Sequence, residues 1–411
     1  MIANQQRIKE SNTALLFRLI NQKETVSRAE LAHMTGLSPT TVSSLIEELL
    51  VGNLILETGA GNSSTSGRKP IMLEINPFGG YVVSIELLVD GFNCFLYNLK
   101  CEKVTGGKFE IPDYSYAAKN IIDSIEEIMK CRSISEERLF GICIGIPAIF
   151  DPDNFTVISS TVLPINEGYD LYTAIKTRFE NSTVMVGNES AFSAYAEKEL
   201  GLDPDVKNLI FIDINIGIGA GVILGGKIFT GTFGIAGEIG HMTIDTNGPK
   251  CKCGNNGCLE TLASIPAMIQ KIVFGVMSGR KTVIKDLVKN DLNRIDINIV
   301  RKAVEENDDL VMEVIDDIAG KLAYGINNII NLLNPEIIVI GGEITCLGDE
   351  LISRIREKAA FLEFKPNINK VKIRYSAIQD NIVTLGGARY MLNSIFYDIG
   401  STAASLISGN A

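Results

Sequence analysis

The sequence has no apolar run long enough to cross a membrane. Its longest apolar stretch, 209–226, is interrupted by Asp213 and Asn215, whereas a membrane span needs about 20 nearly uninterrupted apolar residues. The first ten residues are polar and lack the apolar core of a signal peptide. These absences predict a cytoplasmic protein that makes no membrane contact.

An excess of positive charge is also missing. The 411 residues carry a net charge of −11. Residues 1–78 hold seven basic and seven acidic side chains, so residues 79–411 carry the whole excess of negative charge. Because an acidic surface repels nucleic acid, any DNA contact is expected from the N-terminal segment. With 46% hydrophobic residues, the chain is predicted to fold as two or three soluble domains rather than to be disordered.

The N-terminal segment has the pattern of a helix-turn-helix. Ser27 and Glu30 form a capping box that opens a short helix, and Gly36 ends that helix. Ser38 and Pro39 are typical of the N-cap and the first position of the next helix, which has a regular apolar face. A short helix, a glycine turn and a helix with a hydroxyl-rich start predict a DNA-reading unit.

A predicted β-hairpin follows these helices. Strands over 54–58 and 71–75 flank a loop rich in glycine and serine, which is the pattern of a wing. A helix pair alone could be an ordinary helical hairpin, and the wing favours DNA binding. The recognition helix would present hydroxyls to base edges, and the wing tip would bring two cations to phosphates or the minor groove. The candidate DNA-binding residues are Thr40, Thr41, Ser43, Ser44, Arg68 and Lys69.

The acidic body alternates between strand-like and helical patterns, which predicts an α/β layer architecture. The regions 81–98 and 208–230 begin alike, each with an apolar strand and a hairpin, so two related lobes with a cleft between them are expected. Glycines at 217, 219 and 221 could bring backbone amides close to a phosphate or sugar, or could simply shape a tight hairpin. The apolar tail, 395–411, is expected to pack on the first lobe or to offer a docking helix.

Four potential zinc ligands lie within eighteen residues: His241, Cys251, Cys253 and Cys258. Three thiolates and one imidazole complete a tetrahedral shell with no open position, which indicates a structural rather than a catalytic Zn²⁺. The intervening loop has too few apolar side chains to pack itself, so metal ligation would supply its folding energy. The alternative is a set of free thiols, and the close spacing favours zinc.

The segment that contains these ligands resembles the signature of the ROK family. The matching residues are Gly237-Glu238-Ile-Gly240-His241, the three cysteines and Glu260. That family comprises sugar kinases, uncharacterised open reading frames and sugar-responsive repressors. Its repressor branch also carries an N-terminal winged helix. The resemblance therefore covers nearly the whole chain.

The resemblance implies a fold and its boundaries. The expected fold is α/β: a winged helix-turn-helix over 1–78, followed by a two-lobed, actin-like (ribonuclease H-like) ROK domain over 79–411. Lobe I is expected at about 79–190 together with 384–411, and lobe II at about 191–383.

The resemblance also implies a sugar site. Its residues match Asn188, Glu189, Glu238, His241 and Glu260. Carboxylates that accept hydrogen bonds from neighbouring hydroxyls are usual anchors in carbohydrate sites. The resemblance assigns zinc ligation to His241 as well, and its two ring nitrogens could each face one partner.

Two departures from the family pattern oppose kinase activity. Family kinases place an Asp-x-Gly-Gly-Thr turn at the first hairpin, whereas Leu88 and Val89 here put branched side chains where bare backbone has to meet phosphate. Glu189 replaces the family's Asp and moves the carboxylate by about 1.5 Å, and a misplacement of about 1 Å can cost about 100-fold in rate. The chain is therefore predicted to be a regulator and not an enzyme.

The predicted regulator represses a carbohydrate operon and leaves its operator DNA when a sugar binds in the cleft. Its partners would be operator DNA, a sugar effector and a second copy of itself, in a homodimer or homotetramer. An ATP-dependent sugar kinase, an activator and a regulator controlled by a protein partner remain alternatives. Xylose, glucose, an amino sugar or a phosphorylated sugar could be the effector.

Overall fold

The structure, a computed structural model, describes residues 2–60, 70–151, 155–203, 205–361 and 371–408. No helix in these ranges is both long and apolar enough to span a membrane. Contacts divide the chain into two compact units. Unit 1 comprises Met1–Ile146, Asp170–Gly187 and Gly387–Ala411, and unit 2 comprises Pro147–Tyr169 and Asn188–Gly386.

The described residues form thirteen α-helices and fifteen strands. The helices are α1 (Ile2–Lys23), α2 (Arg28–Thr35), α3 (Pro39–Val51), α4 (Ala117–Cys131), α5 (Tyr172–Arg178), α6 (Glu189–Leu200), α7 (Leu259–Ala263), α8 (Ile265–Met277), α9 (Ile284–Leu287), α10 (Ile297–Glu305), α11 (Asp309–Leu333), α12 (Asp349–Phe361) and α13 (Ile382–Ser408). The strands are β1 (Val26–Ser27), β2 (Ile55–Ala60), β3 (Ile71–Ile75), β4 (Tyr81–Leu88), β5 (Gly91–Asn98), β6 (Lys103–Glu110), β7 (Leu139–Ile146), β8 (Ile149–Phe150), β9 (Val157–Ser159), β10 (Thr183–Asn188), β11 (Leu209–Ile214), β12 (Ile218–Leu224), β13 (Lys227–Ile228), β14 (Ile337–Gly341) and β15 (Lys372–Tyr375).

The N-terminal helices and wing strands form where local sequence chemistry predicts them. The Glu30 carboxylate accepts the Ser27 N–H at 2.8 Å, and the Ser27 hydroxyl accepts the Glu30 N–H at 3.3 Å, so both halves of the capping box are present. Gly36 ends α2 with φ +69°, and Ser38 caps α3. Strands β2 and β3 pair antiparallel, and β1 adds a short third strand on the other side of β3.

The two larger sheets share one topology. The sheet of unit 1 has the strand order β6-β5-β4-β7-β10, and that of unit 2 has the order β13-β12-β11-β14-β15. Each begins with a three-stranded antiparallel meander and continues with a strand that runs parallel to the first strand of that meander. The two similar beginnings in the sequence are therefore the corresponding hairpins β4–β5 and β11–β12, and the chain has the expected α/β architecture.

Continuous apolar runs form the central strands. Every residue of β7 and β14 is buried, as expected for strands that are covered on both faces. In unit 2, the core lies between the sheet and helices that include α8, α10, α11 and α12. The longest of these, α11, has twelve buried residues.

The division into units places residues 147–169, 188–190 and 384–386 in unit 2, whereas the prediction assigns all three stretches to lobe I. Their contacts explain the difference. Asn188 donates a side-chain hydrogen bond to the Ala148 carbonyl at 3.3 Å. A Cβ on Gly234 would lie 2.4 Å from the Phe150 carbonyl oxygen, so this loop also packs closely on the segment.

Residues 1–78 fall in the same unit as the first large sheet, although the prediction treats them as a separate domain. The Arg138 guanidinium donates to the backbone carbonyls of Gly52 and Gly79, both at 2.8 Å. This side chain joins the end of α3 to the start of the following domain. The boundary at residue 78 stays a prediction.

Candidate functional site

The four sequence-predicted zinc ligands come together in unit 2. Their ligand atoms all lie within 4.8 Å of one another. Cys251 Sγ lies 3.7 Å from His241 Nδ1, and the Sγ atoms of Cys253 and Cys258 are 3.6 Å apart. A tetrahedral ion with bonds of about 2.3 Å to sulfur and about 2.0 Å to nitrogen requires separations of about 3.6–3.8 Å. The donor set and its spacing therefore fit Zn²⁺.

Backbone hydrogen bonds shape the loop that carries these ligands. The Cys251 N–H donates to the Asn255 carbonyl at 2.8 Å, and the Leu259 N–H donates to the Met242 carbonyl at 2.9 Å. Burial, together with the neighbouring thiols, raises the pKa of Cys258 to about 12. A thiolate at this position consequently needs a cation beside it.

The motif Gly237–His241 lies directly on strand β12. Gly237 has φ +101°, and its Cβ would be 2.0 Å from the Ala220 carbonyl oxygen. A Cβ on Gly240 would be 2.1 Å from the Ile218 carbonyl oxygen. Both glycines are needed because no side chain fits between the two backbones. The two functional side chains of the motif, a glutamate and the histidine, are thus positioned by the backbone.

His241 has a different neighbour at each ring nitrogen. Its Nδ1 lies in the ligand cluster, and its Nε2 is 3.8 Å from Glu238 Oε2. This arrangement leaves one ring nitrogen for a metal and the other on the side of the Glu238 carboxylate. Burial raises the pKa of Glu238, His241 opposes that shift, and the charge of Glu260 adds to it. Glu238, His241 and Glu260 therefore belong to one electrostatic site.

Glu260 lies in the first turn of α7 and contacts the start of β12. Its Oε2 accepts the Ile218 N–H at 3.1 Å and lies 2.8 Å from the Cβ position of Gly217. A Cβ on Gly221 would lie 2.0 Å from the Ser190 carbonyl oxygen of α6. The glycines of this hairpin therefore make room for other parts of unit 2, which agrees with the packing alternative for their role.

Asn188 and Glu189 begin helix α6. Asn188 Oδ1 accepts the N–H groups of Ser190 and Ala191 at 2.9 and 3.3 Å, so this side chain is the N-cap of the helix. The sequence analysis missed this structural role, although an asparagine just before a helix is its usual signal. Glu189 is half-buried in the first turn. All five sugar-site candidates thus lie in unit 2. Three are on segments that pack against the start of β12, and two are at the N-terminus of α6, which packs on β12.

The four recognition-helix candidates lie in the first two turns of α3. Thr40, Ser43 and Ser44 are exposed. Thr41 is half-buried, and its hydroxyl lies 2.8 Å from the Ser38 hydroxyl. Thr41 therefore helps to cap its own helix and is less available to DNA than the other three.

The cations of the predicted wing tip, Arg68 and Lys69, lie outside the described residues. Within the described part of the domain, Lys9 pairs with Glu48 at 2.6 Å.

The first large hairpin has no glycine-lined loop. Leu88 pairs with Gly91, so only Val89 and Asp90 form the turn between β4 and β5. The Leu88 carbonyl accepts a hydrogen bond from the Tyr114 hydroxyl. A tight turn with branched side chains leaves little bare backbone to surround a phosphate. Leu88 and Val89, the two branched residues singled out in the sequence, therefore lie at this two-residue turn.

Glu197 is a buried charge that the sequence analysis missed. It is 0% exposed and lies on α6. Its carboxylate accepts hydrogen bonds from the Arg374 guanidinium at 2.9 Å, the Ser376 hydroxyl at 2.5 Å and the Ala377 N–H at 2.9 Å. No local sequence pattern predicts this role, because the residues that donate to Glu197 are far from it along the chain.

Comparisons with known proteins agree with one another. The sequence profile of the ROK family matches residues 82–393. The xylose repressor of Bacillus spizizenii is 32% identical over 403 residues, covering 97% of this chain and 99% of that protein. The DNA-binding transcriptional dual regulator NagC of Escherichia coli K12 is 28% identical over 376 residues, covering 90% of each chain. A solved ROK family transcriptional regulator, a homolog of the E. coli MLC protein, superposes with a TM-score of 0.83 at 27% identity and covers 98% of this chain and 99% of its own.

Proposed function

This chain belongs to the ROK family, and we propose that it represses a carbohydrate operon until a sugar binds beside Glu238 and Glu260. Proteins similar to it over nearly its whole length are sugar repressors and a transcriptional regulator, so the chain is a sugar-responsive regulator and not an enzyme. The observation that carries the proposal is a pair of carboxylates, Glu238 and Glu260, that flank a cluster of four potential metal ligands.

A structural zinc ion would hold this pair in place. His241 comes three residues after Glu238, and Cys258 comes two residues before Glu260. An ion bound to His241 and Cys258 would cross-link the two segments and supply folding energy to a loop that has few apolar side chains. The spacing of the ligand atoms supports this assignment.

The sugar would be bound through its hydroxyls. Charged carboxylates accept strong hydrogen bonds, and two of them can fix the orientation of a small polyol. Glu189, Asn188 and the Nε2 side of His241 would complete the site. Several relatives are xylose repressors, so D-xylose is the first candidate, and N-acetylglucosamine is the second because of the similarity to N-acetylglucosamine repressors.

DNA would be bound by the winged helix. Thr40, Ser43 and Ser44 are exposed for contact in the major groove, while Arg68 and Lys69 on the wing would contact phosphates. Thr41 would mainly support the helix start. A homodimer or homotetramer would place two recognition helices in successive major grooves of a palindromic operator.

A sugar panel with two measurements tests the proposal. A sugar present at 100 times its Kd is expected to stabilise the protein by about 2.7 kcal/mol in a thermal-shift assay. The same sugar is expected to release the chain from its operator in a gel-retention assay. The variant Glu238→Gln should lose the thermal shift, whereas Glu313→Gln, at an exposed carboxylate on α11, should keep it.

Two results would contradict the proposal. One is ATP-dependent phosphorylation of a sugar by the purified chain. The other is operator binding that no sugar changes, which would favour control by a protein partner. The position of the operator relative to the promoter separates repression from activation.

A further inference from the structure

The C-terminal helix packs directly on the first helix of the winged domain. Phe396 of α13 and Phe17 of α1 meet edge to face, with ring centroids 4.9 Å apart. Both rings are buried, at 2% and 0% exposure. About one turn further along α13, a Cβ on Gly400 would lie 2.2 Å from the backbone oxygen of Glu10. The two helices can approach this closely only because residue 400 has no side chain.

The beginning of α13 packs on α6, the helix that starts at two of the sugar-site candidates. A Cβ on Gly386 would lie 1.9 Å from the Phe192 carbonyl oxygen of α6. Glu197, near the end of α6, accepts the N–H groups of Ala377 and Ile378 at 2.9 and 3.3 Å. These two residues lie just before α13. The backbone contact at Gly386 and the hydrogen bonds to the buried Glu197 therefore hold the start of α13 and the segment before it to α6.

Both contacts are thus made by one helix, α13. The boundary between unit 2 and unit 1 lies within this helix, between Gly386 and Gly387. At 1.5 Å per residue, the fourteen residues from Gly386 to Gly400 span about 21 Å. An uninterrupted α-helix is a stiff element, so a shift of α6 that carries the start of α13 with it would change the contact of the other end of α13 with α1.

We infer that α13 transmits sugar occupancy from α6 to the winged helix, and that Gly400 is the positioning residue at the DNA-binding end. The inference rests on the proposed function, because it requires both a sugar that contacts the start of α6 and an operator bound by the winged helix. Gly400 acts through α1. Its substitution should therefore alter the link between the two binding events and leave sugar binding intact.

The test compares Gly400→Ala with Ser401→Ala, an exposed neighbour on the same helix. Operator Kd is measured with and without saturating D-xylose, or N-acetylglucosamine if that sugar gives the larger thermal shift. Sugar Kd is measured separately by calorimetry. The wild-type operator Kd should rise by about 5–150-fold with sugar. In Gly400→Ala, the ratio of the operator Kd with sugar to the operator Kd without sugar should fall to less than about a fifth of its wild-type value. The sugar Kd should change by less than about twofold. Ser401→Ala should match the wild type.

The outcomes distinguish this inference from the proposed function. If the wild type responds to sugar and Gly400→Ala responds just as strongly, only the inference fails. If sugar binds and the wild-type operator Kd does not change, both fail. Should Gly400→Ala not fold, Phe396→Leu is measured in its place, and hydrogen exchange of the wild type provides a second readout. Sugar should change amide exchange in α1, and unchanged exchange there overturns the inference.

Discussion

Glu260 occupies the space that a side chain on Gly217 would need. Its Oε2 lies 2.8 Å from the Cβ position of that glycine and accepts the N–H of the next residue, Ile218. This relationship explains why a glycine stands at the start of β12. It also connects the glycine-rich hairpin to the sugar site through one carboxylate.

The first prediction concerns this contact. Gly217→Ala should push the Glu260 carboxylate out of place, and loss of one hydrogen bond to a charged group should weaken sugar affinity by about tenfold or more. Stability should change little, because the displaced atoms are the end of a flexible side chain. Calorimetric sugar titration measures the effect. Gly107→Ala, where a Cβ meets nothing within 4 Å, is the control. Unchanged sugar affinity in Gly217→Ala would show that Glu260 does not bind the sugar.

The second prediction concerns the metal. Cys258→Ser should reduce bound zinc from about one ion per chain to almost none, because a tetrahedral structural site needs all four ligands. Its melting temperature should fall and should no longer respond to a chelator, whereas that of the wild type should fall when a chelator is added. Elemental analysis and thermal scans measure both effects. Cys131→Ser, at an exposed cysteine, should behave like the wild type. Metal-free wild-type protein with a normal melting temperature contradicts the zinc assignment.

The third prediction concerns DNA. Ser44→Glu places a negative charge on the exposed face of α3, next to the phosphates that the recognition helix would approach. Operator Kd should rise by about tenfold or more, equivalent to about 1.4 kcal/mol, with no loss of sugar affinity. Fluorescence anisotropy measures it. Ser278→Glu adds the same charge to an exposed position in unit 2. Equal effects of the two variants would indicate general charge repulsion and not a DNA contact by α3.

The fourth prediction concerns the buried charge of Glu197. Glu197→Ala leaves Arg374 with Asp203 as its carboxylate partner, at 3.1 Å. It also removes the buried acceptor of the Ser376 hydroxyl and the Ala377 N–H. Breaking a buried ion pair typically lowers the free energy of unfolding by about 3–5 kcal/mol, and the remaining Asp203 contact places the expected loss at about 3 kcal/mol. Urea denaturation measures the loss. Glu313→Ala removes an exposed ion pair with Arg280 and should cost less than about 1 kcal/mol. Similar losses of unfolding free energy in the two variants would show that the buried Glu197 stabilises the protein no more than the exposed Glu313 does.

Local chemistry was enough to predict the N-terminal helices with their hairpin, and the clustering of one histidine with three cysteines. The caps at Ser27, Gly36 and Ser38 depend on residues within one turn, and the cysteine spacing lies within one short loop. The repeated hairpin pattern likewise indicated the two related sheets, because each hairpin is continuous in the sequence.

Contacts between distant segments could not be predicted from the sequence. The partner of Gly217 is a carboxylate on another element, and Glu197 pairs with a residue from β15. Phe396 near the C-terminus packs on Phe17 near the N-terminus. The apolar tail pattern predicted packing on the first lobe or a docking helix, and it did not identify α1 as the partner. The unit assignment of residues 147–169 depends on the same kind of contact.

The last prediction uses two carboxylates of one hairpin whose pKa values shift in opposite directions. Burial raises the pKa of Glu86 above its ordinary value, although Asn93 donates a hydrogen bond to it at 2.8 Å. A hydrogen bond from Lys108 lowers the pKa of Asp90. The folded chain therefore holds a proton on Glu86 more tightly than the unfolded chain does, and it holds one on Asp90 less tightly.

The sign of each pH effect follows from this difference. As pH rises from about 4.3, the ordinary value for Glu, the unfolded chain loses the Glu86 proton first, so this group reduces stability until pH passes its folded pKa. Glu86→Gln should therefore gain stability relative to the wild type between pH 4 and pH 7. Asp90→Asn should do the opposite and lose relative stability over the rise from acid pH to neutrality, by a smaller amount because Asp90 is exposed. Urea titrations at a series of pH values measure both. If the difference in unfolding free energy between Glu86→Gln and the wild type is the same at every pH, ionisation of Glu86 does not contribute to the pH dependence of stability.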